Sequence, residues 1–179
     1  MGMVFVSTVK TGSWTVWLKQ VCGVLTAMLI SVPALALNSG EPAPELQLPV
    51  LGSDQQRSLA DYRGKVVYLD FWASWCGPCR KSMPFMEILH QELQPQGLEI
   101  VAVNLDDEQA PALDFIKRYG VTYTNLFDGS SSSMDTFGVI GMPTALLIDR
   151  DGVVNWVHVG FSSEDEAEIR QRIEALLFE

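Results

Sequence analysis

The chain has 179 residues, the length of one ordinary domain with a short appendage. Twelve Lys and Arg stand against 22 Asp and Glu, a net charge of −10, which argues against a nucleic-acid binder, since that function needs clustered positive charge. Apolar residues make up 47% and charged ones 19%, which excludes a disordered chain, and three cysteines are too few for a disulfide-stapled miniprotein.

The segment from Met1 to Gly40 contains no Asp or Glu, and its only charges are Lys10 and Lys19. Val21 to Leu37 then forms an uncharged, mostly apolar stretch. It is short for a membrane span, which takes about 20 residues. It closes on Ala34-Leu35-Ala36, the small-x-small pattern that a signal peptidase reads. Residues 1–36 are expected to be a secretory signal peptide, and Pro33 near their end fits cleavage. The alternative is an uncleaved membrane anchor through residues 21–37, oriented by the two lysines. Either way the rest of the chain is expected outside the cytoplasmic membrane, in the periplasm. No lipoprotein signature precedes Cys22, which reads as a hydrophobic filler. Cleavage after Ala36 leaves a mature chain from Leu37 to Glu179 with two cysteines, and loss of the two lysines takes the net charge to −12. That acidity reads as a solvated surface.

Asn38 to Pro49 is rich in Pro, Glu and Gly and reads as a tether, with a linker over 37–44 and a domain over 45–179. Gly52-Ser53-Asp54 marks a turn. Lys65 to Ala73 is a β-branched and aromatic run, expected as a buried strand. Cys79 to Gln94 reads as a helix with Met83, Met86, Leu89 and Leu93 on one face, which makes these and Phe85 core residues rather than a binding surface. Leu98 to Leu105 is a second buried strand, and Gln109 to Tyr119 a second helix closed by Gly120. Asn125 to Phe127 reads as a short strand. The serines at 130–133 start a short helix that ends before Gly138.

Thr144–Asp149 and Val153–Gly160 flank Arg150-Asp151-Gly152, a hairpin signal. Ser163 followed by Glu166 reads as a capping box opening a last helix that runs to Phe178. Alternating strands and helices give parallel pairing through crossovers, and the last two strands give an antiparallel hairpin. The expected class is α/β, a mixed central sheet with helices on both faces. A domain of this length buries about 70% of its unfolded surface, enough for a core.

The two cysteines outside the leader are spaced C-x-x-C, Cys76-Gly77-Pro78-Cys79, between the first strand and its helix. Helix positions three apart have Cβ atoms about 5–6 Å from each other, close enough for a disulfide. Helix N-terminal N–H groups stabilise a thiolate at Cys76, and Pro78 suits a first-turn position because it has no N–H to waste. The geometry suggests one exposed, acidic thiol, Cys76, and a more buried partner, Cys79. A zinc half-site is the weaker alternative: only His90 and His158 remain as further ligands, far apart in the chain and in no ligand-like spacing. A purely structural disulfide is weaker too, because so short a loop constrains little of the unfolded chain. No metal or other cofactor is expected beyond the Cys76–Cys79 pair itself.

The run Asp70-Phe71-Trp72-Ala73-Ser74-Trp75-Cys76-Gly77-Pro78-Cys79 resembles the active-site signature of the thioredoxin superfamily. The resemblance extends to Pro84, to Asn104-Leu105-Asp106, and to Gly141-Met142-Pro143-Thr144, which is similar to the loop carrying that family's cis-proline. With an export signal and the segment Val103–Val121, the chain is similar to the exported TlpA/ResA-like thiol-disulfide oxidoreductases over roughly residues 43–178. The resemblance implies a thioredoxin-like fold and catalysis by Cys76, Cys79 and Asp70. Cys76 attacks a substrate disulfide, Cys79 resolves the mixed disulfide, and Asp70 accepts the Cys79 proton. Substrate contacts are expected from Trp75, Gly77 and Pro78, and from the Met142 backbone beside cis-Pro143, which is free to pair with a peptide as an added strand. Trp72 is expected to pack in the core.

Two departures stand out. Many ResA-like proteins have Glu three residues after the second cysteine, where this chain has Ser82, and often Asn at the position of Asp70. Cytosolic thioredoxins pair their buried Asp with a Lys on the next strand; the matching residue here is Ala102, which should leave the Asp70 pKa higher.

The resemblance implies protein disulfides as substrates and a membrane thiol transporter as electron donor. Its clients include apocytochrome c in cytochrome c biogenesis, copper-site proteins and misoxidised proteins, among which the sequence does not choose. A reductase is favoured by Gly77-Pro78 between the cysteines. The alternatives are an exported oxidase or isomerase, a peroxidase, and a peptide-binding module without redox turnover. Oxidases of the fold usually carry a helical insertion for which a domain of this length leaves little room, and the peroxidase context is missing around Cys76.

Overall fold

The computed structural model describes residues 39–179, together with Gly2. The signal or anchor expected over 1–36, the cleavage pattern and Cys22 lie outside the described residues. Among the described residues no helix is long and apolar enough to cross a membrane.

The expected tether over Asn38–Pro49 is corrected for the part that is described. The Gly40 N–H donates to the Val154 carbonyl, the Ala43 N–H to that of Gly152, and the Val154 N–H returns to Glu41. Leu46 is buried, and β1 (Gln47–Pro49) pairs antiparallel with β2 (Gln56–Ser58) across the expected turn. Its prolines and glutamates read as linker composition, yet several of its backbone N–H and C=O groups find partners on the domain, which only the tertiary fold supplies.

Strand β3 (Val66–Trp72) is buried along its whole length, as a run of Val, Tyr, Leu and aromatic residues requires. It sits at the centre of a five-stranded sheet. β4 (Leu98–Asn104) and β5 (Thr124–Phe127) continue it in parallel on one side. β6 (Thr144–Ile148) and β7 (Val154–Val159) continue it antiparallel on the other, giving the order β5-β4-β3-β6-β7. In the β6–β7 turn the Asp149 carboxylate accepts the N–H groups of Asp151 and Val153. Gly152 has φ 80°, and a Cβ there would meet the Arg63 guanidinium, so this position requires glycine on both counts.

Alternation along β3 splits the core in two. Val66, Tyr68 and Trp72 face α1 (Cys79–Leu93), α2 (Gln109–Tyr119) and α4 (Glu166–Phe178). Val67, Leu69 and Phe71 face the N-terminal segment and α3 (Ser132–Phe137). The mixed sheet with helices on both faces is the expected one. On α1, Met83, Met86, Leu89 and Leu93 are buried as their spacing predicts, with Phe85 beside them. Helix α2 ends on Gly120 in the left-handed region, φ 65°, with its N–H on the Ile116 carbonyl.

Helix α4 corrects one expectation. Ser163 and Glu166 form no capping box. The Ser162 N–H and hydroxyl instead donate to the Asp165 carboxylate, at 2.6 and 3.0 Å, and the helix opens at Glu166. Both pairs have the same i,i+3 spacing; Asp165, already helical in backbone, takes the position that Ser163 was expected to hold. At the other end the Arg150 guanidinium donates to the carbonyls of Leu176 and Leu177, two of the orphan acceptors of a helix C-terminus.

Candidate active site

Strand β3 delivers Cys76 to the mouth of α1, where Cys76 and Cys79 form a disulfide with Cα atoms 5.3 Å apart. The Cys79 N–H, at the helix start, points at the Cys76 sulfur at 3.2 Å. This is the amide-to-sulfur arrangement that favours a thiolate at Cys76. Cys79 is fully buried. Cys76 is also buried, with 5% of its surface exposed, against the expectation of an exposed thiol. Its sulfur is drawn inward by the bond to Cys79, and it is reached through the groove beside it.

That groove is an apolar cleft of about 400 Å³, lined in part by Trp75, Gly77, Pro78, Ile140 and Met142. Trp75 is 65% exposed and stands on the rim, while Trp72 is buried and donates its indole N–H to the Asn125 side chain at 3.1 Å. The Met142–Pro143 peptide is cis. Pro143 itself is buried behind the groove, and its carbonyl accepts the Gly160 N–H. The structure therefore brings together Cys76, Cys79, Trp75, Gly77, Pro78 and Met142 around one cleft, with Pro143 behind Met142.

Asp70 lies on β3 on the same sheet face as Tyr68 and Trp72, the face on which α1 packs. Its register neighbours are Ala102 on β4 and Ala145 on β6, so no cation stands across from it on either strand. It is 2% exposed, and its Oδ2 has no hydrogen-bond partner among the described residues. Burial pushes its pKa up to about 8. Burial, reinforced by the Asp70 charge, also raises the phenols of Tyr68 and Tyr123 well above the usual tyrosine range. The carboxyl is thus mostly protonated at pH 7 and ionises as the pH approaches 8.

Several supporting residues had no role in the sequence reading. The Asp106 carboxylate accepts the Ser74 N–H at 3.1 Å, the Ser74 hydroxyl at 3.1 Å and the Asn104 side-chain amide at 2.9 Å. This clip ties the loop before Trp75 and Cys76 to the end of β4. The run Asn104-Leu105-Asp106 was visible as a family likeness, but its partner lies far earlier in the chain, on the redox loop. Ile140, 93% exposed, and Met134 also line the groove. The signal for Ile140 was an apolar residue next to a glycine in a loop, outside any periodic pattern. Replacing Asp106 by alanine is expected to destabilise the fold by about 2–3 kcal/mol, because buried donors lose a charged acceptor. Denaturant unfolding of the oxidised protein measures this.

Ser82, at the position where many relatives carry Glu, is buried and its hydroxyl donates to the Cys79 carbonyl. It puts no charge beside the dithiol, and Asp70 is the carboxyl set on the α1-facing side of β3. Among the described residues no cluster of His, Cys, Asp and Glu is arranged to hold a metal ion.

The redoxin family profile matches residues 38–173. The chain is 36% identical, over 79% of each sequence, to a thiol-disulfide oxidoreductase ResA from Geobacillus thermodenitrificans. Among solved structures it is similar to a Chlorobium tepidum protein assigned as a thiol:disulfide interchange protein DsbE. That likeness has a TM-score of 0.76 and 42% identity, and covers 79% of this chain and 99% of the other. A Bacteroides thetaiotaomicron protein assigned as a protein disulfide isomerase aligns with a TM-score of 0.72 at 32% identity, over 80% of this chain and 92% of the other. The family match runs through the disulfide, the groove and Asp70, and the likenesses span most of the chain, so the protein belongs to the redoxin family as a thiol-disulfide oxidoreductase of the ResA/DsbE type.

Proposed function

We propose that the protein works as a reductase of protein disulfides on the outer side of the cytoplasmic membrane, re-reduced by a membrane thiol transporter. The observation that carries the direction is the makeup of the first turn of α1. The Cys79 amide donates to the Cys76 sulfur, while Pro78 before it has no N–H to give. The thiolate is thus stabilised modestly. Strong oxidants of this chemistry owe their potential to a heavily stabilised reduced form. A modestly stabilised one gives its electrons away more readily. The acid-free, apolar N-terminal stretch with its Ala34-Leu35-Ala36 end supports export.

In the reductive half-reaction the Cys76 thiolate attacks one sulfur of a substrate disulfide, and the other substrate sulfur leaves as a thiolate. The Met142 backbone and the groove walls hold the substrate segment extended across Cys76. Asp70 in its ionised form, a minor fraction at pH 7 that grows as the pH approaches 8, then takes the Cys79 proton, and the Cys79 thiolate attacks the Cys76 sulfur. The second substrate thiolate leaves, and two electrons have moved from the enzyme dithiol to the substrate. In the return half-reaction a donor thiolate attacks Cys76 of the oxidised enzyme. The neutral Asp70 gives its proton to the departing Cys79 sulfur, and a second donor thiol releases Cys76. Burial lifts the Asp70 carboxyl to about 8, far above the usual carboxylate range, which brings it closer to thiol acidity and suits it to exchange a proton with Cys79 in both directions.

The reduction potential of Cys76–Cys79 in the full chain, equilibrated with glutathione or dithiothreitol buffers, tests the direction. The expected value is close to that of thioredoxin, about −270 mV. A value near about −120 mV, that of a strong oxidant, would reverse the electron flow and overturn the reductase reading.

A further inference from the structure

The groove that reaches Cys76 contains no charged side chain. It reads the shape and backbone of a substrate, and charge has to be read elsewhere. A second cavity, of about 290 Å³, opens beside the redox loop. Ser74 of that loop, Arg80 of α1, and Asp114, Phe115, Arg118 and Tyr119 of α2 line it. Phe115 and Tyr119 stack at 4.4 Å between ring centroids and form an aromatic wall. Arg80 and Arg118 are exposed, and neither makes an ion pair or a side-chain hydrogen bond among the described residues. By contrast Arg63 and Arg150 are spent on backbone carbonyls, and Arg170 and Arg172 on glutamates. In so acidic a chain, two arginines without an internal partner lining one cavity are a local reversal of charge. Asp114 shares the cavity and leaves it with one net positive charge.

We propose that this cavity is a docking subsite for an acidic side chain, Asp or Glu, on the protein segment that carries the reacting disulfide. The inference rests on the disulfide-exchange reading above and adds to it a preference among substrates. Arg80 follows Cys79 directly, so its Cα lies within about 9 Å of that of Cys76. An extended chain advances about 3.3 Å per residue, so a carboxylate two to four residues from the substrate cysteine reaches the cavity while that cysteine is on Cys76. A guanidinium is the cation suited to this, because its planar fork binds a carboxylate through paired hydrogen bonds. The net negative charge of the chain disfavours acidic partners as a whole, so this subsite also biases the direction from which such a segment approaches.

The test uses the full chain in its reduced form and disulfide-linked peptide pairs that differ in a single residue. Glu or Gln is placed in turn two, three and four residues to either side of the reactive cysteine. At low salt the wild type is expected to reduce the best-placed Glu peptide about three to ten times faster than its Gln counterpart, with the gap closing at high salt. Arg118→Gln and Arg80→Gln are each expected to shrink that gap severalfold, while the Gln peptide keeps its rate within about twofold. Equal rates for Glu and Gln at every position overturn the subsite, as does a preference that survives both substitutions. A variant that slows both peptides equally also overturns it, because the arginine then acts on Cys76 itself. Failure of the wild type to reduce any peptide overturns the disulfide-exchange reading, and the subsite with it.

Discussion

Replacing Cys79 by serine is expected to leave the protein stuck to its substrates as mixed disulfides, while Cys76→Ser removes reductase activity by about three orders of magnitude or more. The asymmetry follows from the site. Cys76 borders the groove and receives the Cys79 amide, so it is the sulfur that a substrate meets and the one held as an anion. Cys79 is fully buried and acts only inward, on Cys76. Without Cys79 the first exchange still occurs, but the intramolecular displacement that frees the substrate does not. Non-reducing electrophoresis of Cys79→Ser with a disulfide peptide, followed by mass spectrometry, should show a covalent adduct through Cys76 that dithiothreitol releases. An adduct formed instead by the Cys76→Ser protein through Cys79 would reverse the assignment of the two sulfurs.

The second large effect concerns Asp70, and it has a kinetic and a thermodynamic side. Asp70→Asn is expected to slow release of the mixed disulfide about a hundredfold near pH 7, since general acid–base help of this kind contributes about 10²–10⁴-fold. In the wild type the rate should follow an apparent pKa near 8, and the variant should lose that inflection. Stopped-flow fluorescence, with Trp75 beside the disulfide, measures both. Resolution at the wild-type rate across the pH range would remove Asp70 from the proton path.

On the thermodynamic side the unfolded carboxyl titrates near about 3.9 and the folded one near 8. The folded state therefore binds a proton that the unfolded state has released between these values. Stability falls as pH rises through that window and levels off above it. Asn keeps the shape and carries no charge. Asp70→Asn should therefore match the wild type near pH 4 and exceed it by about 2–4 kcal/mol at pH 7, measured on the oxidised protein by thermal unfolding at several pH values. A difference that does not change with pH would mean that burial is not what holds the carboxyl neutral. Together the two results describe a group kept at a cost in stability for the proton it carries.

Much of this protein was written locally. A seven-residue buried strand, the stripe Met83, Met86, Leu89 and Leu93, Gly120 at a helix end and Asp151-Gly152 between two apolar runs each encode their element through neighbours in the chain. The C-x-x-C spacing at a strand-to-helix junction proposed the redox pair for the same reason, because three residues of helix bring two Cβ atoms together without outside help. Even the missing cation of Asp70 was legible, through the likeness to thioredoxins that matches Ala102 to their strand lysine, and the register sets Ala102 against Asp70.

What the tertiary structure decided are the properties that depend on partners far along the chain. Ser39–Pro49 reads as a tether until its backbone meets Gly152 and Val154. Whether Ser163 or Asp165 stands at the start of the last helix depends on how that helix docks, because Ser162–Asp165 and Ser163–Glu166 have the same spacing. The Asp106 clip on Ser74, the burial of Cys76, and the meeting of Arg80 with Arg118 join residues that no periodic pattern links. Local sequence fixes which chemistry a segment can carry. Packing fixes which solvent, charge and neighbour that chemistry meets, and these set the pKa of Asp70 and the access to Cys76.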